Sequence, residues 1–376
     1  MTSNSRKKNP ARILDESQNV SGYGLGETID SVARKLDRKP SEIMKLNSNE
    51  NFFVPLDFLR RLFKEVAEQI DPRLYPDEEA RELRRALAKY LGASPEEIVI
   101  GTGSDQLIDL VSRITLRHGD EALSIAPTFS IYEQCTKIQG GIYKAVPLKN
   151  DFSLDTERIL SSVTPRTKLL FLCSPNNPTA NQFDRQDIEK LIEDFEEPVM
   201  IDEAYVDFAE YSIVDLVEEY ENAIVLRTFS KAFGLAGLRL GYAVANPKLA
   251  SLILDRFQLP YSVSHVALRL GLKLLGRIET IRNGICKLKQ ERIELIRAMN
   301  QIEGVHAFDS DANFVLFEVN KRSSDVYREL LEDGVIVKNV GKVLHLDNCL
   351  RVSVAPRCMS KPFLTSLKEV LGDNGA

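Results

Sequence analysis

Residues 228–244, TFSKAFGLAGLRLGYAV, place a lysine, Lys231, within a run of small and apolar residues. The nearest charged residues along the chain are Arg227 and Arg239, whereas most lysines lie on charged, solvated surfaces. The segment joins two strand-like runs, AIVLR and RLGYAV. A lysine between two predicted strands, and away from other charges, indicates a chemical role for its amine.

Strand-like runs alternate with helical stretches through the middle of the chain. The runs are EIVIG, EALSIA, GIYKAV, KLLFLC, PVMID, AIVLR and RLGYAV. Such alternation predicts an α/β fold with a mainly parallel sheet covered by helices. After about residue 262, a long helical region runs to near residue 300, and strand-like runs then alternate with two helices. We therefore predict a large domain over 46–262, with an N-terminal arm (1–45) and a smaller α+β domain (263–376).

Composition and charge narrow the function classes. The 376 residues are 43% hydrophobic and 28% charged, and no apolar run approaches the roughly 20 residues of a membrane span. A net charge of −6 gives no general attraction for phosphate backbones, and the cysteines and histidines lack metal-ligand spacing. We expect no nucleic-acid, membrane or metal partner. Because no apolar signal core follows the N-terminus, we expect a cytoplasmic location.

Polar residues directly follow four of the predicted strands. EIVIG is followed by TGSD (102–105), KLLFLC by SPNNP (174–178), PVMI by DEAY (202–205) and AIVLR by TFSK (228–231). Ligands of open parallel sheets bind outside the carboxyl ends of the strands, so these groups converge on one edge. Together they supply free amides at a helix start, an asparagine, a carboxylate with a phenol, and a hydroxyl with an amine.

Each of these motifs has a simpler interpretation when it is taken alone. GTGSDQ is compatible with a capped turn or a single-phosphate site at a helix N-terminus, and Gln106 replaces the third glycine of a dinucleotide fingerprint. SPNNPT is typical of a proline-bounded turn. DEAY is compatible with a strand end that carries a solvated acidic pair. The coincidence of all four motifs favours a shared ligand.

One ligand that needs all of these groups is pyridoxal 5′-phosphate (PLP). Its aldehyde bonds covalently to a lysine amine, and a carboxylate keeps its ring nitrogen protonated. Asp202, at the end of an apolar strand, is the candidate carboxylate, and Lys231 is the candidate amine. Partial burial and the neighbouring Arg239 would lower the pKa of Lys231, so that its amine is able to react.

The motifs SPNNPT, DEAYVDF, TFSKAFGLAGLRLGY and CLRVSV, in this order, resemble those of fold type I PLP-dependent aminotransferases of class I/II. The most similar family is histidinol-phosphate aminotransferase. LNSNEN (46–51), RLYPDEEARELRRALAKYLG (73–92), GTGSDQLIDL (101–110) and PTFSIYEQC (127–135) also resemble it. The resemblance extends over nearly the whole chain beyond about residue 20, and it implies a PLP-dependent aminotransferase of this fold.

The resemblance implies catalytic roles for Lys231, Asp202 and Tyr205. Lys231 would carry the cofactor and then move a proton between the substrate and the cofactor. Asp202 would pair with the ring nitrogen, and Asn177 and Tyr205 would hydrogen-bond the phenolic oxygen. Phe129 would stack on the ring, at a position where family members usually have tyrosine.

The resemblance also implies how the cofactor phosphate is held. Tyr75 would reach the phosphate of the partner subunit's cofactor, which implies a homodimer with shared active sites. The phosphate ligands from the same chain would be Ser104, Asp105, Ser230 and Arg239.

Four residues are the candidates for substrate binding. Arg351 would bind the substrate α-carboxylate, and Asn177 would border the same site. Lys338 stands where many relatives have an arginine that grips a substrate phosphate, and lysine keeps the charge but loses the planar fork. Tyr23 would be the substrate-side tyrosine of the family. The simpler alternatives are a solvated lysine for Lys338 and a mere anchor for Tyr23.

The leading hypothesis is transamination of L-histidinol phosphate with 2-oxoglutarate, which yields imidazole acetol phosphate and L-glutamate in histidine biosynthesis. An aromatic amino acid aminotransferase or a threonine-phosphate decarboxylase on the same scaffold stays open. A rival from another class is a non-catalytic PLP-binding regulatory protein. A pure binding module has no need for Lys231, Asp202, Asn177, Tyr205 and Arg351 together, which disfavours that rival.

Overall fold

The computed structural model describes residues 22, 24, 26–76 and 80–372. Its α-helices are α1 (Ile29–Leu36), α2 (Leu56–Ala67), α3 (Arg81–Leu91), α4 (Gly103–Thr115), α5 (Ile131–Ile138), α6 (Thr156–Ser161), α7 (Arg185–Asp194), α8 (Leu216–Glu219), α9 (Pro247–Leu252), α10 (His265–Leu275), α11 (Ile278–Met299), α12 (Ser323–Glu332) and α13 (Arg357–Leu371). Its strands are β1 (Met44–Lys45), β2 (Ile98–Gly101), β3 (Glu121–Ala126), β4 (Ile142–Pro147), β5 (Thr167–Cys173), β6 (Val199–Asp202), β7 (Ala223–Thr228), β8 (Gly241–Ala245), β9 (Val305–Ala307), β10 (Phe314–Val319), β11 (Val335–Ile336), β12 (Lys338–Val343) and β13 (Leu346–Ser353).

The seven strand-like runs between residues 97 and 244 form one sheet, in the order β2-β8-β7-β6-β5-β3-β4. Strands β3 to β7 are parallel, whereas β8 is antiparallel to both β7 and β2. Because β8 reverses direction relative to both neighbours, β2 runs the same way as β7. The carboxyl ends of β2, β5, β6 and β7 therefore lie at one edge, and the predicted α/β fold with a mainly parallel sheet is confirmed.

The central strands are buried on both faces, as is typical of parallel sheets covered by helices. Successive side chains of a strand point to opposite faces, and here they enter two different apolar clusters. One cluster contains Leu172, Ile201 and Val225. The other contains Phe171, Met200 and Ile224. Because the side chains of β5, β6 and β7 alternate between these two clusters, the sheet packs between two helical layers. This packing holds the polar carboxyl edge of the sheet in place.

A second sheet has the antiparallel order β12-β13-β10-β9, and β1 pairs in parallel with β11. The helical region predicted between about 262 and 300 is two helices, because α10 ends at Leu275, with Gly276 as its C-cap, and α11 begins at Ile278. Glycine interrupts helices readily because it lowers helix propensity.

The domain limits at 45/46 and 262/263 stay a prediction. Among the described residues, no helix is long and apolar enough to cross a lipid bilayer.

Candidate active site

A cavity of about 350 Å³ opens at the carboxyl edge of the large sheet. Tyr75 does not line this cavity, and Tyr23 lies outside the described residues. Every other predicted site residue lines it: Ser104, Asp105, Phe129, Asn177, Asp202, Tyr205, Ser230, Lys231, Arg239, Lys338 and Arg351. The expected convergence of the strand ends therefore takes place in the folded chain.

Lys231 follows β7 and is half-buried. Its Nζ donates a hydrogen bond to the carbonyl oxygen of Ser48 at 3.0 Å and lies 5.6 Å from the ring centroid of Tyr205. Burial, followed by the positive charge of Arg351, lowers the pKa of this amine to about 8. Such an amine has a substantial neutral fraction near neutral pH, which a nucleophile or a proton acceptor requires.

Asp202 ends β6 and is 2% exposed. Its Oδ2 accepts a hydrogen bond from the Tyr132 hydroxyl at 2.8 Å, and its Oδ1 accepts one from the backbone N–H of Ala204 at 3.0 Å. Burial raises the pKa of Asp202 to about 6, whereas these two donors lower it. The carboxylate is therefore desolvated but hydrogen-bonded, as a partner for a ring cation should be.

The interpretation of DEAY as a strand end with a solvated acidic pair is wrong. Glu203 is as buried as Asp202, at 2% exposure. Its Oε2 lies 2.9 Å from Nε of Arg227, and its Oε1 accepts from the backbone N–H of Ile213. Because a buried carboxylate needs a charged partner, this pair forms part of the interior, and Asp202 alone of the two lines the cavity.

The start of α4 forms a cradle in which the first N–H groups of the helix have no partner within the helix. Arg239 reaches across it: Nη2 lies 2.8 Å from Oδ2 of Asp105, and Nη1 donates to Oγ of Ser230 at 3.3 Å. Gly103 has φ +75°, and a Cβ there would lie 2.6 Å from Nη2 of Arg239. A Cβ at Gly241 would lie 2.6 Å from the backbone N of Ser104. Both glycines keep the cradle open, and a helix N-terminus beside an arginine is a suitable anion site.

Tyr205 is buried under the cavity and is held by a second polar residue. Its hydroxyl accepts a hydrogen bond from Nδ2 of Asn49 at 3.0 Å, and its ring packs edge-on against Phe314 with the centroids 5.1 Å apart. Burial raises the pKa of Tyr205. The hydroxyl therefore stays protonated near neutral pH and is able to donate a hydrogen bond into the cavity.

Arg351 and Lys338 come from the small sheet, where they are cross-strand partners on β13 and β12. Arg351 is 8% exposed; its Nη1 donates to Oδ1 of Asn177, and its Nη2 donates to the carbonyl oxygen of Asn47 at 2.8 Å. Burial and the charge of Arg351 lower the pKa of Lys338. Lys338 lines the cavity and is half-buried, and its contact with a substrate phosphate stays a prediction.

Tyr75 points away from the cavity of its own chain. It is 78% exposed, and its ring stacks on Tyr261 with a centroid distance of 4.5 Å. Its predicted contact with the cofactor of a partner subunit stays a prediction.

Comparison with known proteins places the chain in a family. The family described as aminotransferase class I and II matches residues 41–362. A histidinol-phosphate aminotransferase of Methanosarcina mazei is 40% identical over 345 residues, which are 91% of this chain and 92% of the relative. One from a Thermoanaerobacter species is 36% identical over 329 residues, which are 87% of this chain and 93% of the relative. This chain belongs to the histidinol-phosphate aminotransferase family.

A solved structure agrees with this assignment. The crystal structure of histidinol-phosphate aminotransferase from Sinorhizobium meliloti in complex with PLP matches with a TM-score of 0.85 and 25% identity, over 94% of this chain and 96% of that one. The predicted fold type, aminotransferase activity and PLP cofactor are therefore confirmed, and the non-catalytic alternative is set aside. As a family member, the chain acts on an amino donor and a 2-oxo acid.

The residues present fit PLP. The open cradle suits a phosphate, the buried Asp202 suits a ring cation, and the lowered pKa of Lys231 suits an amine that bonds to an aldehyde. Sequence reasoning assigned no role to Tyr132, Asn49 or the carbonyl groups of residues 47 and 48, although all of them contact predicted site residues. The motifs PTFSIYEQC and LNSNEN contain these positions. Those family resemblances were therefore the available signal, but they did not say which atoms touch.

Proposed function

We propose that this protein transaminates L-histidinol phosphate with 2-oxoglutarate, which gives imidazole acetol phosphate and L-glutamate. The observation that carries the proposal is the cation pair of Arg351 and Lys338 in the cavity that also contains the Lys231 amine. Two neighbouring cations favour a phosphorylated amino donor and a dicarboxylic oxo acid. An uncharged aromatic side chain would bring no negative charge to these cations. The names of the curated relatives support the same substrate.

The cofactor phosphate is held at the N-terminus of α4 in this proposal. Ser104 and Asp105 contribute backbone N–H groups, because the carboxylate of Asp105 is already paired with Arg239. Ser230 and Arg239 contribute a hydroxyl and a guanidinium group, which lie beside each other. The positive end of the helix dipole adds to the attraction for the anion.

Phe129 and the residues at the carboxyl ends of β5 and β6 would hold the ring of the cofactor. Asp202 pairs with the ring nitrogen, while Asn177 and Tyr205 donate to the phenolic oxygen. Bound PLP withdraws electrons from the substrate Cα, which makes the Cα proton acidic. Lys231 Nζ, with its pKa of about 8, accepts that proton and returns it on the same face.

The substrate contacts come mainly from the small sheet. Arg351 binds the α-carboxylate of glutamate and of 2-oxoglutarate as a fork. Its present partners, the Asn177 side chain and the Asn47 carbonyl, hold the guanidinium group in place until then. Lys338 binds the phosphate of the amino donor as a point charge. Tyr23, outside the described residues, stays a predicted substrate contact.

The proposal includes a homodimer with shared active sites. Tyr261, which stacks on Tyr75, is 44% exposed, and two apolar side chains near these tyrosines in sequence are exposed as well: Leu74 (65%) and Leu259 (70%). Such exposed side chains are typical of a surface that another subunit covers. Tyr75, whose hydroxyl is not used in its own cavity, would complete the phosphate site of the second subunit.

The proposal also includes a cytoplasmic location. All five cysteines lie within the described residues, and each is a free thiol. Free thiols without disulfides agree with a reducing compartment.

A half-reaction assay tests the proposed substrate. The PLP-loaded protein is mixed in single turnovers with histidinol phosphate, phenylalanine, tyrosine and threonine phosphate, and loss of the visible cofactor band is followed. We expect histidinol phosphate to react fastest. If an aromatic amino acid reacts fastest, the proposed substrate is wrong, although the cofactor assignment stands. Light scattering on the same sample tests the dimer independently.

A further inference from the structure

We propose that Tyr132 is a positioning residue: its hydroxyl holds the Asp202 carboxylate in the orientation and charge state in which that carboxylate pairs with the ring nitrogen of PLP. The inference deepens the proposed function and rests on the proposed role of Asp202.

The first support is the fixed pair of donors around the carboxylate. Tyr132 lies in the first turn of α5 and is 0% exposed. Its hydroxyl donates to Oδ2 of Asp202 at 2.8 Å, while the Ala204 N–H donates to Oδ1 at 3.0 Å. Each carboxylate oxygen thus has one protein donor, so rotation about the Cβ–Cγ bond would break both bonds. The remaining lone pairs are left for a partner in the cavity.

The second support is the packing that immobilises the phenol ring. The ring of Tyr132 stacks on Phe171 of β5, with a centroid distance of 4.8 Å and an interplanar angle of 8°. Phe129 meets the same ring edge-on, at 5.7 Å and 87°. Phe129 also lines the cavity, in the position proposed to stack on the cofactor. One short segment, 129–132, therefore positions a ring-stacking side chain and the donor to Asp202.

The third support is electrostatic. Burial raises the pKa of Tyr132, and the neighbouring Asp202 charge raises it further, so the phenol keeps its proton and is able to donate it in a hydrogen bond to the carboxylate. Burial also pushes Asp202 toward its neutral form, and Asp105 adds to this push. Tyr132, Ala204 and Lys231 act in the opposite direction. Among these groups, the Tyr132 hydroxyl is the side-chain donor in direct contact with the carboxylate, so its removal should favour the neutral acid.

The test uses PLP labelled with ¹⁵N in its ring, bound to the full chain near neutral pH. The ¹⁵N chemical shift reports the proton position between the ring nitrogen and Asp202. The variant is Tyr132→Phe, which removes one oxygen atom. The matched control is Tyr242→Phe: Tyr242 is 1% exposed on β8, packs on Phe229, and does not line the cavity. Asp202→Asn gives the reference shift for a nitrogen without a carboxylate partner.

We expect Tyr132→Phe to move the ¹⁵N shift toward the Asp202→Asn value. The ratio of protonated to unprotonated ring nitrogen should fall about tenfold, because one charge-assisted hydrogen bond to Asp202 is lost. Tyr242→Phe should keep the wild-type shift. A wild-type shift in Tyr132→Phe overturns the inference. Equal changes of the shift in Tyr132→Phe and Tyr242→Phe also overturn it, because Tyr132 would then act only through packing. If Asp202→Asn itself leaves the shift unchanged, the proposed role of Asp202 is what fails.

A second measurement covers the case in which Tyr132→Phe does not fold. 3-Fluorotyrosine placed at position 132 keeps the ring, the hydroxyl and the packing. Its ¹⁹F resonance should shift when PLP is added to the apo protein, because the carboxylate that accepts its hydrogen bond then gains a cationic partner. A resonance that PLP leaves unchanged contradicts the inference.

Discussion

Two walls of the cavity are built in different ways. The sheet-edge wall, comprising Ser104, Asp202, Lys231 and Arg239, consists of residues that end or follow strands of the large sheet or precede β8. The small-sheet wall consists of Lys338 and Arg351, which meet through the antiparallel register of β12 and β13. The first wall carries charges of both signs, and the second carries only cations. Because of this difference in charge, the sheet-edge wall suits a dipolar cofactor, while the small-sheet wall suits anionic substrates.

The two walls are nevertheless connected by consecutive backbone carbonyl groups. The carbonyl oxygen of Ser48 accepts from Lys231, and that of Asn47 accepts from Arg351. Asn49, the next residue, donates to Tyr205. Residues 47–49 thus connect the two walls. A substitution in one wall is therefore expected to affect the other wall, to a degree that depends on the residue changed. Substitutions in one wall at a time distinguish the contribution of the sheet-edge wall from that of the small-sheet wall.

Removing the amine of the sheet-edge wall should abolish turnover. In Lys231→Ala, we expect the rate with every amino donor to fall by about 10⁴-fold or more, because both the covalent attachment and the proton acceptor are lost. Steady-state transamination measures this. Lys248→Ala, which changes an exposed lysine, should retain wild-type turnover. A wild-type rate in the Lys231 variant would remove this residue from the mechanism.

Removing the guanidinium of the small-sheet wall should spare the cofactor. In Arg351→Met, kcat/KM for 2-oxoglutarate should fall about 100-fold, because a bidentate, charge-assisted contact is lost. PLP affinity, measured by equilibrium dialysis, should change less than about threefold. An equal loss of cofactor affinity would show that the walls are not separable.

The pH dependence of the Lys231 amine should reveal the influence of one wall on the other. With a pKa of about 8, the neutral fraction rises about tenfold between pH 7 and pH 9, so capture of PLP by the apo protein should accelerate over that range. In Arg351→Met, the midpoint should move to higher pH, because a nearby cation that disfavours the ammonium form is gone. A midpoint unmoved in the variant would contradict the electrostatic link. Absorbance during mixing gives both rates.

The smallest expected effect concerns donor selectivity. In Lys338→Met, the preference for histidinol phosphate over phenylalanine should drop about fivefold, because a half-buried point charge contributes roughly 1 kcal/mol to a phosphate contact. Lys342→Met, a 70% exposed lysine on the same strand, is the control and should keep the preference. If both variants behave alike, Lys338 acts only through the general charge of the surface.

The large sheet and the polar residues at its carboxyl edge could be predicted from the sequence. Strand runs such as KLLFLC are short and mostly apolar, and four of them are followed directly by polar groups of the site. Because parallel strands point the same way, adjacency in sequence is enough to predict adjacency in space. The placement of Asp202 and Lys231 therefore followed from local pattern, and their assignment to PLP followed from the chemistry of those groups.

The partners that surround those groups depend on how the folded chain packs. The contacts of Asp202 with Tyr132, of Tyr205 with Asn49 and of Arg351 with Asn47 join residues separated by 70 to 304 positions. No periodicity encodes such distances, since they depend on how helices pack on the sheet and on the register of β12 with β13. Burial likewise arises only on folding, and it is burial that brings the pKa of Lys231 and of Asp202 toward neutrality.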